Sequence, residues 1–432
     1  MKNLDKALII GPGCIGRSAQ MFEDLFPGKT AAIITDGNIW EIAGKSVTES
    51  FRKAGIPQIE PLVIDDPDLY AEWKFIEQIE DYLRDTPAIA VAVGSGVIND
   101  LCKLVSGHLG RRYMCVGTAA SMDGYASYGA SITKDGNKQT FDCPAPLGIV
   151  LDSLISAEAP KELAASGYAD LIAKIPAGAD WMLADCVGAE KIDPFAWDLV
   201  QNGLKESLSA PDLVFKGDVE KTEALAKGLI MSGFAMQAIN SSRPASGTEH
   251  QFSHCWDMEA LSYPDGKHVS HGFKVGIGTL VSTMGLEMLL EKDIAAIDTA
   301  KCVAAWPSWE QMQARIEELC KGKPGHLARC LSESKAKYVG PEELAVQIET
   351  LKKAWPELKE KIRAQIIPFE DVRDKLKAVG APYESEMIYV SHEHLLETLA
   401  IIPYMRSRFT GIDVIYRLGM MDEFTQRVNR WK

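Results

Sequence analysis

The chain has 432 residues, 46% of them hydrophobic and 25% charged, and a formal net charge of −14. That length exceeds one small core and favours two domains of ordinary globular composition. The acidic balance argues against nucleic acid and anionic membrane as main partners, but does not exclude an anionic small substrate in a locally basic or metal-bearing pocket.

Met1-Lys2-Asn3-Leu4-Asp5 leads almost directly into the apolar run Ala7–Ile10, so no secretory leader is expected. No apolar run approaches a bilayer-spanning length, and the expected location is the cytoplasm. Nine cysteines show neither a CxxC pair nor a regular spacing. They are expected to be reduced, mostly buried thiols, Cys255 included.

The first third alternates short apolar runs with longer amphipathic ones. Strands are expected at Ala7–Ile10, Ala31–Thr35, Glu60–Ile64, Ala88–Val93 and Tyr113–Val116. Helices are expected at Arg17–Phe26, Ile39–Ala54, Pro67–Arg84 and Val97–Leu109. This rhythm implies a doubly wound, mostly parallel sheet buried on both faces. Right-handed crossovers align the glycine-rich strand ends along one edge, where nucleotides bind. Ser127–Asp152, with Gly129 and Gly136, reads as a hairpin-like excursion ending in a strand at Gly148–Asp152. Beyond about Leu154 helical periodicity dominates, as in Phe195–Leu208, Val219–Ala238, Val275–Leu290 and Leu395–Ile402. The expected organisation is therefore an α/β domain over 1–155 followed by an all-α domain over 156–432. Within the latter, the charged, helix-rich region between about 308 and 377 reads as a surface elaboration.

Several strand ends carry chemistry. Gly94-Ser95-Gly96 closes a strand and opens a helix, where backbone N–H groups and the helix N-terminus suit a pyrophosphate. A plain tight turn is the alternative, because no third glycine completes GxGxxG. Asp36, at the end of the second strand, is placed either to accept ribose hydroxyls or to cap a helix. Gly11–Gly16 reads equally as a phosphate loop or a turn. The run from Thr118 to Ser127 gathers small hydroxyl residues and Asp123 at the same edge. Asp170 opens an apolar run and, read alone, is a helix cap.

The second half is organised around Asn240–Gly278, which holds His250, His254, His268 and His271. His250 and His254 are four residues apart, on one face of a helix. His271 follows a turn-like Tyr263-Pro264-Asp265-Gly266 and starts a second periodic segment. Imidazole is the commonest protein ligand for several divalent metals, so this stretch reads as one wall of a metal site on two helices. An amphipathic helix with ordinarily bonded histidines is the alternative.

Together, Gly94-Ser95-Gly96 with Asp100 and Lys103, TAASMDGYAS over 118–127, Asp170 with Lys174, Asp180-Trp181, SRPASGTEH over 242–250 with His254, and Arg406–Leu418 resemble a known family. It is that of the sn-glycerol-1-phosphate dehydrogenases, within the iron-containing alcohol dehydrogenase and dehydroquinate synthase-like superfamily. The resemblance implies that superfamily's fold and an NAD- or NADP-linked interconversion of dihydroxyacetone phosphate and sn-glycerol 1-phosphate. It implies one divalent metal (zinc, nickel or iron) held by Asp170, His250 and His271. His254 and Asp123 would contact substrate, with Asp170 also close to it; the near-neutral pKa of an imidazole would let His254 relay or steady the hydroxyl proton. Asp36, Gly96, Val97, Ile98, Asn99, Asp100, Thr118, Ala119, Ala120, Ser121 and Ser127 would hold the dinucleotide. A homo-oligomer is expected. Lys174, Arg243 and Lys274 are phosphate candidates by proximity to the motifs. An unphosphorylated polyol substrate, a lyase reaction and a non-catalytic nucleotide-binding role are the competing readings.

Overall fold

The computed structural model describes residues 7–67, 69–134 and 137–431. They form two compact units. The first comprises Met1–Leu171, Asn202–Ser241 and Ala378–Gly380, and the second comprises Ile172–Gln201, Ser242–Lys377 and Ala381–Lys432. The first unit runs past the expected boundary at 155/156 and takes in the later helices Lys161–Ile172, Leu204–Ser207, Pro211–Lys216 and Val219–Ile239.

Within the first unit six strands form one parallel sheet. They are β1 (Leu8–Gly11), β2 (Ala31–Asp36), β3 (Leu62–Ile64), β4 (Ile89–Gly94), β5 (Met114–Gly117) and, after a hairpin, β8 (Gly148–Asp152). The sheet order is β1-β8-β5-β4-β2-β3. The hairpin pairs β6 (Ala130–Lys134) with β7 (Asn137–Phe141) antiparallel; Gly136, part of the expected hairpin-like excursion, lies outside the described residues. Successive side chains on a strand point to opposite faces. Accordingly Ala32, Ile34, Ala90 and Ala92 join one core, and Ala31, Ile33, Val91 and Val93 another. Burial on both faces explains why these strands are apolar without alternation. Gly94 pairs with Gly117 and Gly11 with Asp152, so the strand ends fall in line at the carboxyl edge.

The second unit is helical. The long helix His271–Glu291 packs on the helix Thr248–Met258. A methyl group at Gly278 would collide with the backbone of Glu249, so glycine sets how closely these two histidine-bearing helices approach. His271–Glu291 is long and apolar enough to cross a membrane, contrary to the expectation of no such run. Its apolar window is 89% buried within the protein, which accounts for that composition without a bilayer. Helices Trp309–Leu319, Pro324–Lys337 and Pro341–Gln365 form most of the charged region. It is more than a surface elaboration: Met312, Ile316, Cys320 and Cys330 share a core with Cys255, Ile401 and Met405. All nine cysteines are free, and only Cys186 is not buried.

Polar contacts tie the same parts together. Glu259 sits 2.7 Å from Lys323 and 2.8 Å from His394. Burial acts to raise the Glu259 carboxyl, but His394 and Lys323 together hold it below its ordinary value. Its hydrogen bond to Glu259 raises the His394 imidazole. A raised histidine contributes stability that is complete below its unfolded pKa, about 6.5, and lost as pH climbs through the folded value. The lowered Glu259 contributes above about 4.5 and loses its contribution as pH falls through its folded value. The pair is therefore most stabilising between those limits. Melting temperature is expected to decline above about pH 6.5, and His394→Gln to flatten that decline. Equal slopes in both proteins would show that the pair carries no linkage.

Candidate active site

In the first unit, the loop after β5 is held from several sides. Lys103, on the helix Gly96–His108, is fully buried. Its ammonium donates to the carbonyls of Gly124, Ser127 and Gly129 at 2.7, 3.1 and 3.0 Å, and lies 3.5 Å from Asp100. Gly167 lets the helix Lys161–Ile172 touch the backbone at Ala120, where a methyl group would collide with the Ala120 carbonyl. Gly233 does the same for the helix Val219–Ile239, since an added methyl would meet the Asp123 carbonyl at 2.6 Å. Asp123 is buried; its N–H donates to Asp170 Oδ2 at 3.0 Å, and its own Oδ2 accepts from Ser232 Oγ at 3.0 Å. Asp170 lies in the last turn of the helix Lys161–Ile172 and is fully buried, not an N-terminal cap. A cap accepts N–H bonds from its own helix, whereas this carboxylate accepts one from a loop 47 residues away.

The carboxyl edge sorts the phosphate-loop readings. Asp152 accepts from Gly13 N–H and Ile15 N–H, each at 2.9 Å. The Gly11–Gly16 loop therefore cradles the protein's own carboxylate and is a turn. Asp36 caps a helix, accepting from Asn38 N–H and Ile39 N–H at 3.0 Å. Gly96 opens a thirteen-residue helix directly after β4, as strand–turn–helix phosphate binding requires. Gly94 has a packing reason, since a methyl there would meet Ile98 Cβ at 2.9 Å. Beside it, Thr118 donates its N–H to the Gly94 carbonyl, while its buried Oγ1 has no partner among the described residues. A buried hydroxyl left without a partner is costly and marks a place for a ligand's polar group. Ser121 Oγ lies 3.4 Å from the Tyr125 hydroxyl, and Ser127 Oγ donates to the Gly124 carbonyl.

In the second unit, His250 and His271 come from adjacent helices, with ring centroids 5.3 Å apart. His250 Nδ1 is 2.8 Å from Glu249 Oε1, and His271 Nδ1 is 3.2 Å from Ser253 Oγ. A carboxylate on one ring nitrogen fixes the tautomer and makes the other nitrogen a better metal ligand. Burial raises Glu249, and burial plus Glu249 raises Asp180. Both carboxylates crowd Gly247, where a methyl group would collide with Asp180 Oδ2 and lie 2.9 Å from Glu249 Oε2. Asp180 also accepts from Thr248 N–H and Gly411 N–H at 2.6 and 2.7 Å. Arg243 donates to the carbonyls of Asp180 and Phe409, and Arg408 donates to those of Ser242 and Ser246. The SRPASGTEH run is thus a rigid bracket for the first histidine.

A family model for iron-containing alcohol dehydrogenases matches residues 9–160. Glycerol-1-phosphate dehydrogenase (NAD(P)+) of Methanothermobacter thermautotrophicus is 33% identical over 279 residues, 64% of this chain and 77% of that protein. Its counterpart in Pyrococcus furiosus is 32% identical over 277 residues, 64% and 77% of the two chains. The chain belongs to the glycerol-1-phosphate dehydrogenase family. A crystal structure of glycerol dehydrogenase from Schizosaccharomyces pombe shares the fold at a TM-score of 0.60 and 17% identity, covering 98% of this chain and 91% of that one. The expected architecture, a parallel α/β sheet followed by helices, holds for this glycerol-1-phosphate dehydrogenase family member.

His254 was expected to titrate near neutrality, but burial, then Arg406, pushes its pKa well down. Arg406 Nη1 lies 2.9 Å from His254 Nε2. A guanidinium can only donate, so Nε2 accepts and the imidazole proton sits on Nδ1. That leaves the Nδ1 N–H as the donor His254 offers. Sequence reasoning singled out Lys103, Asp180, Glu249 and Arg406 only as parts of the motifs that carry the resemblance and assigned none of them a role.

Proposed function

We propose that this glycerol-1-phosphate dehydrogenase family member interconverts dihydroxyacetone phosphate and sn-glycerol 1-phosphate with NAD or NADP and one divalent metal. The observation that carries this reading is the imidazole pair, each Nδ1 engaged by a fixed neighbour, in a chain whose relatives are named for that reaction. Asp170, His250 and His271 are the proposed metal ligands, with Nε2 as the coordinating atom of each histidine. Two imidazoles and a carboxylate suit zinc, nickel and iron alike. When bound, the metal supplies Lewis-acid polarisation of the substrate C2 oxygen, and the nicotinamide supplies or takes the hydride.

The chain's own groups orient and desolvate. Glu249 holds His250 in one tautomer, and the Asp123 N–H steadies Asp170. His254, neutral with its proton on Nδ1, is proposed to donate a hydrogen bond to a substrate oxygen. Asp123 is proposed to contact a substrate hydroxyl. For the dinucleotide we propose the helix start at Gly96, Val97, Ile98, Asn99 and Asp100, and the loop residues Thr118, Ala119, Ala120, Ser121 and Ser127. Asp36 is proposed at the ribose, retaining its capping bonds. The unpartnered Thr118 hydroxyl and the strand–turn–helix setting of Gly96 support that assignment. We extend the proposal to a cytoplasmic homo-oligomer, which light scattering of the purified protein tests.

The deciding assay follows NADH or NADPH oxidation with dihydroxyacetone phosphate, before chelation, after it, and after metal restoration. Activity is expected to vanish on chelation and return with metal. No oxidation in the restored sample with either cofactor would defeat the reading. The fold shared with glycerol dehydrogenase supports an unphosphorylated polyol as the second reading. Comparing glycerol with glycerol 1-phosphate in the oxidative direction separates the two.

A further inference from the structure

We propose that Arg406 is the anchor for the substrate's phosphate group, an inference that rests on the dehydrogenase reading above. Arg406 follows the helix His392–Met405, where the backbone turns extended. Among the described residues its guanidinium has one hydrogen-bonding partner, His254, and no carboxylate within ion-pair distance. One of five N–H donors is therefore used. Its neighbours make the imbalance larger. Burial, then Arg329, weakens its hold on its proton, while Glu333 and Glu190 offset this only from a distance. Glu333 is itself engaged, accepting the Ser407 N–H at 2.6 Å.

Arg329 donates its Nε–H to the Met405 carbonyl at 3.3 Å, and three further cations are committed to the protein's own acceptors. Arg408 donates to Ser242 Oγ at 2.8 Å and to the Ser246 carbonyl at 2.9 Å. Arg243 donates to two carbonyls and lies 3.6 Å from Glu190. Lys274 is ion-paired with Asp257. Of the phosphate candidates suggested by sequence proximity, Arg243 and Lys274 are thus tied to the protein's own acceptors.

A partly buried guanidinium with unspent donors costs free energy unless an anion completes it. Its planar fork matches two oxygens of a phosphate. That local excess of positive charge stands out in a chain of net charge −14. The spacing also fits. His254 lies one helical turn, ~5.4 Å, beyond His250, and Arg406 lies on the far nitrogen of His254. A triose phosphate held by its C2 oxygen near His250 spans a comparable length to its phosphate.

The alternative is that Arg406 only fixes the His254 tautomer, and the two roles separate in experiment. Metal-loaded enzyme carrying Arg406→Gln or Arg406→Lys is assayed with NADH on dihydroxyacetone phosphate and on dihydroxyacetone. Binding of inorganic phosphate to the enzyme–NADH complex is measured by calorimetry. For Arg406→Gln, the ratio of kcat/KM values, phosphorylated over unphosphorylated, is expected to fall about 10- to 100-fold. Phosphate affinity should fall with it, and Arg406→Lys should recover part of both. Equal losses on the two substrates, or unchanged phosphate binding in Arg406→Gln, would overturn the proposal. Wild type that reduces neither substrate defeats the dehydrogenase reading instead, and the phosphate arm still decides the role of Arg406.

Discussion

Replacing His271 with alanine is expected to strip the bound metal and lower turnover on the order of 10³-fold, while NADH still binds. The size follows from losing Lewis-acid assistance of several kcal/mol, at about 1.36 kcal/mol per factor of ten. His271 is the first residue of its helix, and its ring faces His250 at 5.3 Å between centroids. Ser253 holds its Nδ1, and Gly278 brings the two helices close enough for both rings to serve one ion. The groups assigned to the dinucleotide belong to the other compact unit, so their fold is expected to survive. Metal analysis, NADH titration by fluorescence and turnover are measured on one preparation. Full metal occupancy in the variant would remove His271 from the ligand set.

The second large effect concerns stability. Lys103→Met should destabilise the protein by about 3–5 kcal/mol, the range for breaking a buried charge network by removing one partner. Methionine keeps most of the apolar stem but abandons three carbonyls and Asp100 in a buried setting. Those carbonyls belong to Gly124, Ser127 and Gly129, so the clasp holds the loop that carries Asp123. Weaker NADH binding should accompany the lower melting temperature. A variant that melts within a degree of wild type and binds NADH normally would show that the loop needs no clasp.

Much of this was legible in local pattern. The strands β2, β4 and β5 fall within a residue or so of their expected bounds, because uninterrupted apolar runs of that length end in glycine or aspartate. The helix expected over Phe195–Leu208 instead breaks at Gly203, which sits at φ 82° between two shorter helices. Positive φ is cheap for glycine, so periodicity continued where the backbone did not. The Ile39–Ala54 run likewise contains a π-helical turn at Trp40–Gly44, which side-chain spacing does not reveal.

By itself the sequence determined the alternation of strands and helices, the glycine-rich strand ends and the one-turn spacing of His250 and His254. Each is a periodic or nearest-neighbour property, encoded within a few residues. Tertiary structure alone decided which groups complete one another. Asp152 fills the Gly11–Gly16 loop from 139 residues away, and Arg406 meets His254 across 152. Glu249 reaches His250 although adjacent helix positions do not normally face each other. Such partners are selected by burial, where a donor or acceptor without a mate costs more than the chain entropy of bringing a distant one to it.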